Sequence, residues 1–312
     1  MPRMDERDVL RERTHNLWTS FARKFPPLLK AVRLDPSPEA GFERIGGLAG
    51  PKEEVETYAC GATHPEVYAH WGTFAPSALL LIGQRGVGKH LLATALASHA
   101  GMGFLHVSVP QLVLQLLHSA GQAGALLSEW SQSLAEMPPL VVFYDELEFS
   151  LAHEFGARRT DLPVGPVMDF LLDLVDRTIA VETTLVVGST SYPDSLRQAF
   201  LMPGRFERVV EVSPSYPDDV VAALAIHARD AEKLAGRALF DGVEWANVVQ
   251  QLREATPGDW VRLLHAVLRR RAGCEVAGGP SRPVTTQDFV DEVDRVRRAR
   301  ARLPATAGGI YL

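Results

Sequence analysis

Cysteine is nearly absent. Cys60 and Cys274 are the two in 312 residues, too few for a disulfide framework and in no metal-ligand spacing. No apolar run approaches the ~18 residues of a membrane-spanning helix. The first residues, MPRMDERDVLRERTH, contain none of the apolar stretch of a secretory leader. Lysine is scarce, confined to positions 24, 30, 52, 89 and 233, with arginine supplying the remaining positive charge. The net charge is −6, so the concentrated basic face of a general nucleic-acid binder is missing. Internal repeats and low-complexity tracts are missing too. These absences lead us to expect a cytoplasmic chain in a reducing compartment, with no membrane span and no nucleic-acid partner. What is present, 46% hydrophobic residues over this length, suffices for about two domains with ample core.

Residues 1–40 read as an N-terminal helical extension and linker. Leu17, Trp18, Phe21, Phe25, Leu28 and Leu29 recur at roughly helical spacing, interrupted by Pro26-Pro27. The mixed charges favour a helix packed on the main body over a membrane-surface or adaptor helix. From 41 to 212 strand and helix alternate, with strands at Leu79–Ile82, Phe104–Val109, Leu140–Phe143 and Thr184–Val187. Such short aliphatic runs separated by helices predict a parallel sheet buried on both faces. Residues 213–302 show helical patterns alone, at 217–233, 244–253, 258–271 and 286–302, and predict a small helical domain. Residues 303–312, with Pro304 and Gly308-Gly309, read as a flexible tail. The fold class expected is α/β: a parallel-sheet core with helices on both faces, followed by a small α-helical lid.

Gly83-Gln84-Arg85-Gly86-Val87-Gly88-Lys89 follows a strand and opens a helix, the context a phosphate loop requires. Its glycines let backbone N–H groups curl around phosphates, the helix N-terminus favours anions, and Lys89 reaches the outer phosphates. The following residue is ordinarily Ser or Thr, whose hydroxyl binds Mg²⁺; here it is His90, and imidazole suits that oxygen-seeking cation poorly. Downstream, Leu140–Phe143 runs through Tyr144 into adjacent carboxylates. Asp145 is placed to hold Mg²⁺ and Glu146 to polarise an attacking water. Glu148 adds charge with no assigned role.

These motifs resemble the AAA family of AAA+ P-loop ATPases over roughly residues 42–302. Phe42–Leu48, containing Ile45 and Gly46, resembles the family's segment beside the adenine. Pro65–Tyr68 with Trp71-Gly72 resembles the stretch before the phosphate loop. Tyr192-Pro193-Asp194 and Pro203–Arg208 resemble the second region of homology. Ile226-His227 resembles the lid segment in which a histidine approaches base and ribose. Gly258, within Pro257-Gly258-Asp259, falls where small residues meet the nucleotide. Val284–Phe289 resembles the start of the last lid helix. The resemblance implies ATP or ADP with Mg²⁺ as cofactor, self-association or association with a related subunit in a ring, with six the expected number, and a protein substrate or partner. It also implies that Arg205 acts on the neighbouring subunit's nucleotide; a surface arginine paired with Asp194 or Glu207 is the plainer alternative.

The same comparison exposes departures. Ser191 replaces an asparagine that helps position the water, and Met202 replaces the first of two inter-subunit arginines. Leu116 and His118 replace the aromatic and glycine of the substrate-threading loop, and a leucine grips a chain less well than a ring. Arg158-Arg159 fall in the second pore loop. The chain ends Ile310-Tyr311-Leu312, resembling the tail by which proteasome-regulatory ATPases dock on a protease ring; an unstructured end is the plainer reading. Arg269–Arg271 and Arg295–Arg302 read as solvated or interface-facing helix surfaces rather than nucleic-acid contacts. The function expected is an AAA-type ATP-binding protein, a ring-forming ATPase that remodels a protein, with hydrolysis and threading motifs weakened at His90, Ser191, Met202 and Leu116. A non-hydrolysing scaffold subunit of a mixed ring, and a protease-ring adaptor working through the tail, stay open as alternatives.

Overall fold

The computed structural model describes residues 6–117, 120–148, 164–206 and 208–302. The described residues form two compact units. The first comprises the chain up to Phe42, Gly50–Gly83 and Lys89–Val212; the second comprises Glu43–Ala49, Gln84–Gly88 and the chain from Ser213 onward.

The first unit is built on a six-stranded sheet: β1 (Val32–Asp35), β2 (Ala78–Ile82), β3 (Gly103–Ser108), β4 (Leu140–Asp145), β5 (Thr184–Thr190) and β6 (Arg208–Glu211). The order is β1-β3-β4-β5-β2-β6. All neighbours are parallel except β1, which runs antiparallel to β3. The central strands β2, β4 and β5 are aliphatic and buried, as a sheet covered on both faces requires. Its helices are α1 (Glu6–Lys24), α2 (Pro26–Ala31), α3 (Ala49–Thr63), α4 (Pro65–His70), α5 (Lys89–Ala100), α6 (Val109–Leu117), α7 (Ala123–Glu136) and α8 (Val164–Ile179).

The N-terminal residues 6–35 share the core of this unit. Trp18, Phe21, Phe25 and Leu28 are buried in it, and Trp18 meets Trp130 of α7 edge-on at 6.4 Å. Pro26 ends one helix and occupies the first turn of the next, where its missing N–H costs nothing. Leu29, read as part of the apolar face, is exposed. Strand β1 is an addition to the expected elements: Val-Arg-Leu-Asp alternates charge with a single aliphatic face, enough for a sheet edge but too short to stand out from a linker.

A saturated polar network ties β4 to the helices beneath it. Thr178 of α8 donates to the Leu174 carbonyl at 2.7 Å and accepts from Trp130 Nε1 at 2.8 Å. Its oxygen lies 2.6 Å from the Tyr144 hydroxyl, which must be the donor because the one Thr178 proton is already committed. All three side chains are buried, and burial pushes the Tyr144 phenol well above its ordinary pKa.

The second unit carries α9 (Asp218–Ala235), α10 (Trp245–Gln250), α11 (Pro257–Val276) and α12 (Thr286–Arg300) around Val220, Leu224, Trp260, Leu264, Phe289 and Val293. Sharp starts are set by chemistry at the caps. Thr256 and Asp259 form a reciprocal capping box on α11, and the Asp288 carboxylate accepts the Thr285 N–H at 2.9 Å on α12. Among the described residues no helix is long and apolar enough to cross a membrane.

Candidate functional site

The loop 83–89 is divided by its contacts: Gly83 and Lys89 belong to the first unit, Gln84–Gly88 to the second. In the first unit, β2 delivers the chain to Gly83 and α5 begins at Lys89. Lys89 is 8% exposed, and its ammonium donates to the Gly83 carbonyl at 2.5 Å and to Ser191 Oγ at 3.0 Å. Ser191, expected near the water, therefore receives the lysine. Its own N–H donates to Glu148 Oε1 at 3.1 Å, which gives Glu148 a place: a buried carboxylate holding the end of β5.

Asp145 ends β4, and both of its oxygens are engaged. Ser189, fully buried at the end of β5, donates its hydroxyl to Oδ1 at 2.5 Å. His106 of β3 sets Nε2 3.3 Å from Oδ2, which as a carboxylate can only accept. Burial acts to raise the Asp145 pKa, but hydrogen bonds from His106 and Ser189 and the nearby imidazoles outweigh it, and the net shift is downward. Glu146 follows at φ 61°, a left-handed conformation uncommon for a residue with a Cβ, and its N–H donates to Ser189 Oγ at 3.2 Å. Such backbone concentrates at functional sites.

His90 lies on the first turn of α5 and is seated among rings. Its centroid is 5.1 Å from His106, 5.5 Å from Phe104 and 5.7 Å from Phe143, each nearly perpendicular to it. Although one edge stays exposed, removal from water and the neighbouring His106 lower its pKa, with Asp145 opposing. The hydroxyl of Thr94, one turn along α5, donates to the His90 carbonyl at 2.9 Å.

These residues do not suit Mg²⁺ held in the way a phosphate loop holds it. Mg²⁺ takes an octahedral shell of oxygens and gives up water reluctantly. Position 90 offers a ring where that cation takes a hydroxyl, and the lone pairs left on Asp145 lie beside the His106 imidazole.

Arg205 grips Asp176 of α8 with two bonds, at 2.6 and 2.8 Å, and also donates to the Ala199 carbonyl. Its partner is thus Asp176, not Asp194. Hydrogen bonding to Asp176 raises its pKa further, so it stays charged. Met202 is exposed. Leu116, read as a pore-loop residue, is a correction: it is 8% exposed and belongs to the core of the first unit, because the apolar face of α6 packs inward. His118, Arg158, Arg159, Glu207, Ile310, Tyr311 and Leu312 lie outside the described residues.

In the second unit, backbone meets backbone where the sequence has glycine. A Cβ on Gly46 would lie 2.1 Å from the Ala223 nitrogen of α9, so this position admits no side chain. Gly258 donates its N–H to the Gly86 carbonyl at 2.9 Å, and a Cβ on Gly258 would stand 3.0 Å from that same oxygen. Ile45 is buried, and His227 sits one turn beyond Ala223. Burial lowers the His227 pKa, opposed by Asp230. Asp230 in turn pairs with Arg44. Ile45, Gly46, Gln84–Gly88, His227 and Gly258, expected at the nucleotide, are therefore all residues of this unit.

Residues 79–214 match the family described as "ATPase family associated with various cellular activities (AAA)". The match takes in the sheet strands β2 to β6 and the loop 83–89, and covers less than half of the chain. It is similar to the proteasome-activating nucleotidase of Methanopyrus kandleri, 29% identical over 273 residues, 85% of this chain and 58% of that one. It is also similar to the 26S proteasome regulatory subunit 8 homolog of Schizosaccharomyces pombe, 28% identical over 258 residues, 80% and 60% of the two chains. A third relative is the proteasome-activating nucleotidase of Methanocaldococcus jannaschii, 31% identical over 208 residues, 64% and 46% of the two chains. The chain spans less than two thirds of the length of these relatives.

Proposed function

We propose that this chain is an ATP-binding AAA subunit that assembles in a ring, six subunits being the expected number, and acts on a protein partner, with hydrolysis weakened. The observation that carries this reading is Lys89: a buried ammonium at the start of α5 that donates to Gly83 O and to Ser191 Oγ, where a phosphate loop requires its lysine. An arriving phosphate offers that ammonium a charge-assisted acceptor stronger than either of these oxygens. Lys89 then leaves Ser191, and the end of β5 that Ser191 shares with Glu148 registers the nucleotide. Gln84–Gly88 supply backbone N–H groups to the phosphates, and Ile45, Gly46, His227 and Gly258 line the base side. Glu146 holds the proton side of the attacking water, and Arg205 leaves Asp176 to reach a neighbour's nucleotide. Where the ring binds a protease, Ile310-Tyr311-Leu312 dock it; the names of the relatives, proteasome-activating and proteasome regulatory, support that partner.

The imidazole at position 90, in place of a hydroxyl, favours a second reading, a scaffold subunit that binds nucleotide without turning it over. Phosphate release from ATP supplied with Mg²⁺, measured across protein concentration beside Lys89→Ala, separates the two. Slow release that rises with concentration and vanishes in the variant supports the weakened ATPase. Release indistinguishable from the variant leaves the scaffold. Removing residues 310–312 without weakening any protease association would remove the docking role.

A further inference from the structure

We propose that this chain takes its nucleotide as the free polyanion, ATP or ADP without a bound Mg²⁺, and that the His90–His106 pair set against Asp145 excludes the cation. The inference rests on the nucleotide-binding reading above and adds the ionic form of the ligand.

Two arrangements carry it. The residue following Lys89 is an imidazole set edge-on among His106, Phe104 and Phe143, so the side chain at position 90 has no oxygen to offer. The Asp145 carboxylate accepts from Ser189 at 2.5 Å and faces His106 at 3.3 Å, so a cation at its remaining lone pairs must share them with a hydroxyl and sit beside an imidazole edge. Mg²⁺ gains little there: it prefers water and oxygen at about 2.0–2.1 Å, whereas imidazole serves Zn, Cu, Fe and Ni. Phosphate charge is met without metal by Lys89 and by the N-terminus of the 12-residue α5.

The test is the affinity of the full chain for a fluorescent ADP analogue and for ATP by calorimetry, in EDTA and in Mg²⁺, for the wild type, His90→Thr and Lys89→Ala. Expected are wild-type dissociation constants that agree within about twofold in the two buffers. His90→Thr, which restores the hydroxyl, should bind about tenfold tighter in Mg²⁺ than in EDTA. Wild-type binding that weakens tenfold or more in EDTA overturns the proposal while leaving nucleotide binding intact. So does binding strengthened by Mn²⁺ or Co²⁺ over EDTA, since the imidazoles would then be ligands. A His90→Thr protein that binds yet gains no Mg²⁺ dependence removes His90 as the excluding group; His106→Asn is the parallel variant should His90→Thr not fold. No binding in either buffer, or Lys89→Ala binding as well as wild type, defeats the nucleotide reading itself.

Discussion

Replacing Thr178 by valine changes little in shape and removes one oxygen from the core. That oxygen accepts from Trp130 Nε1 at 2.8 Å and from the Tyr144 hydroxyl at 2.6 Å, and all three residues are fully buried. In Thr178→Val both donors lose their acceptor with no water to replace it. A buried donor left unsatisfied costs about 1–3 kcal/mol, so the pair costs about 2–6 kcal/mol. For a unit of this size that lowers Tm by about 4–24 °C. The assay is thermal and urea unfolding followed by circular dichroism and tryptophan fluorescence, to which Trp130 is one of five contributors. Adding Tyr144→Phe to the valine variant removes one orphaned donor and should return about 1–3 kcal/mol. A single variant within about 0.5 kcal/mol of wild type, the range of an inconsequential surface change, would refute the reasoning. So would a double variant no more stable than the single one.

Other expectations follow from the site. Gly46→Ala forces a Cβ to 2.1 Å from the Ala223 nitrogen and should destabilise the second unit by about 1–3 kcal/mol or abolish nucleotide binding outright, as read by unfolding and by titration with ADP. The lowered His90 and His227 pKa values mean that the unfolded chain binds more protons as pH falls through the ordinary histidine value of 6.5, so stability drops there; His90→Phe should flatten that part of the Tm-against-pH curve. Asp145, with its pKa held down, stabilises the fold at neutral pH and loses that contribution as pH falls from the usual carboxylate range through its own lower value. Ser189→Ala should shrink that acid-side loss in the same measurement. Arg205→Ala breaks a partly exposed ion pair and should cost less than about 1 kcal/mol of stability; a far larger loss of assembly-dependent phosphate release would mark Arg205 as acting in trans.

The sheet was legible because β2 to β5 each carry a short apolar run, mostly aliphatic or aromatic, and the phosphate loop because its glycines and lysine fall between strand and helix. The edges were not: β1 and β6 are four residues each, with charge at alternate or terminal positions, and only pairing to a neighbour distinguishes them from loops. His106 and Ser189 carry no motif. They reach Asp145 because β3 and β5 flank β4, and sheet order is not written in the local pattern. The register does contain the signal, since Tyr144 pairs with Gly188 and so brings Ser189 beside Asp145. Leu116 was misread because a position matched to a loop falls here on an inward helical face. Glu148 gained meaning only when Ser191 was found above it, 43 residues away in sequence.

The central claim is that nucleotide, held through Lys89, drives this chain into a ring. Sedimentation of the full chain with and without ATP, beside Lys89→Ala, tests it most directly. The account predicts a shift from small species to a ring on adding ATP, and no shift in the variant. A wild-type chain that sediments identically with and without nucleotide, or a variant that assembles as well as wild type, would contradict it.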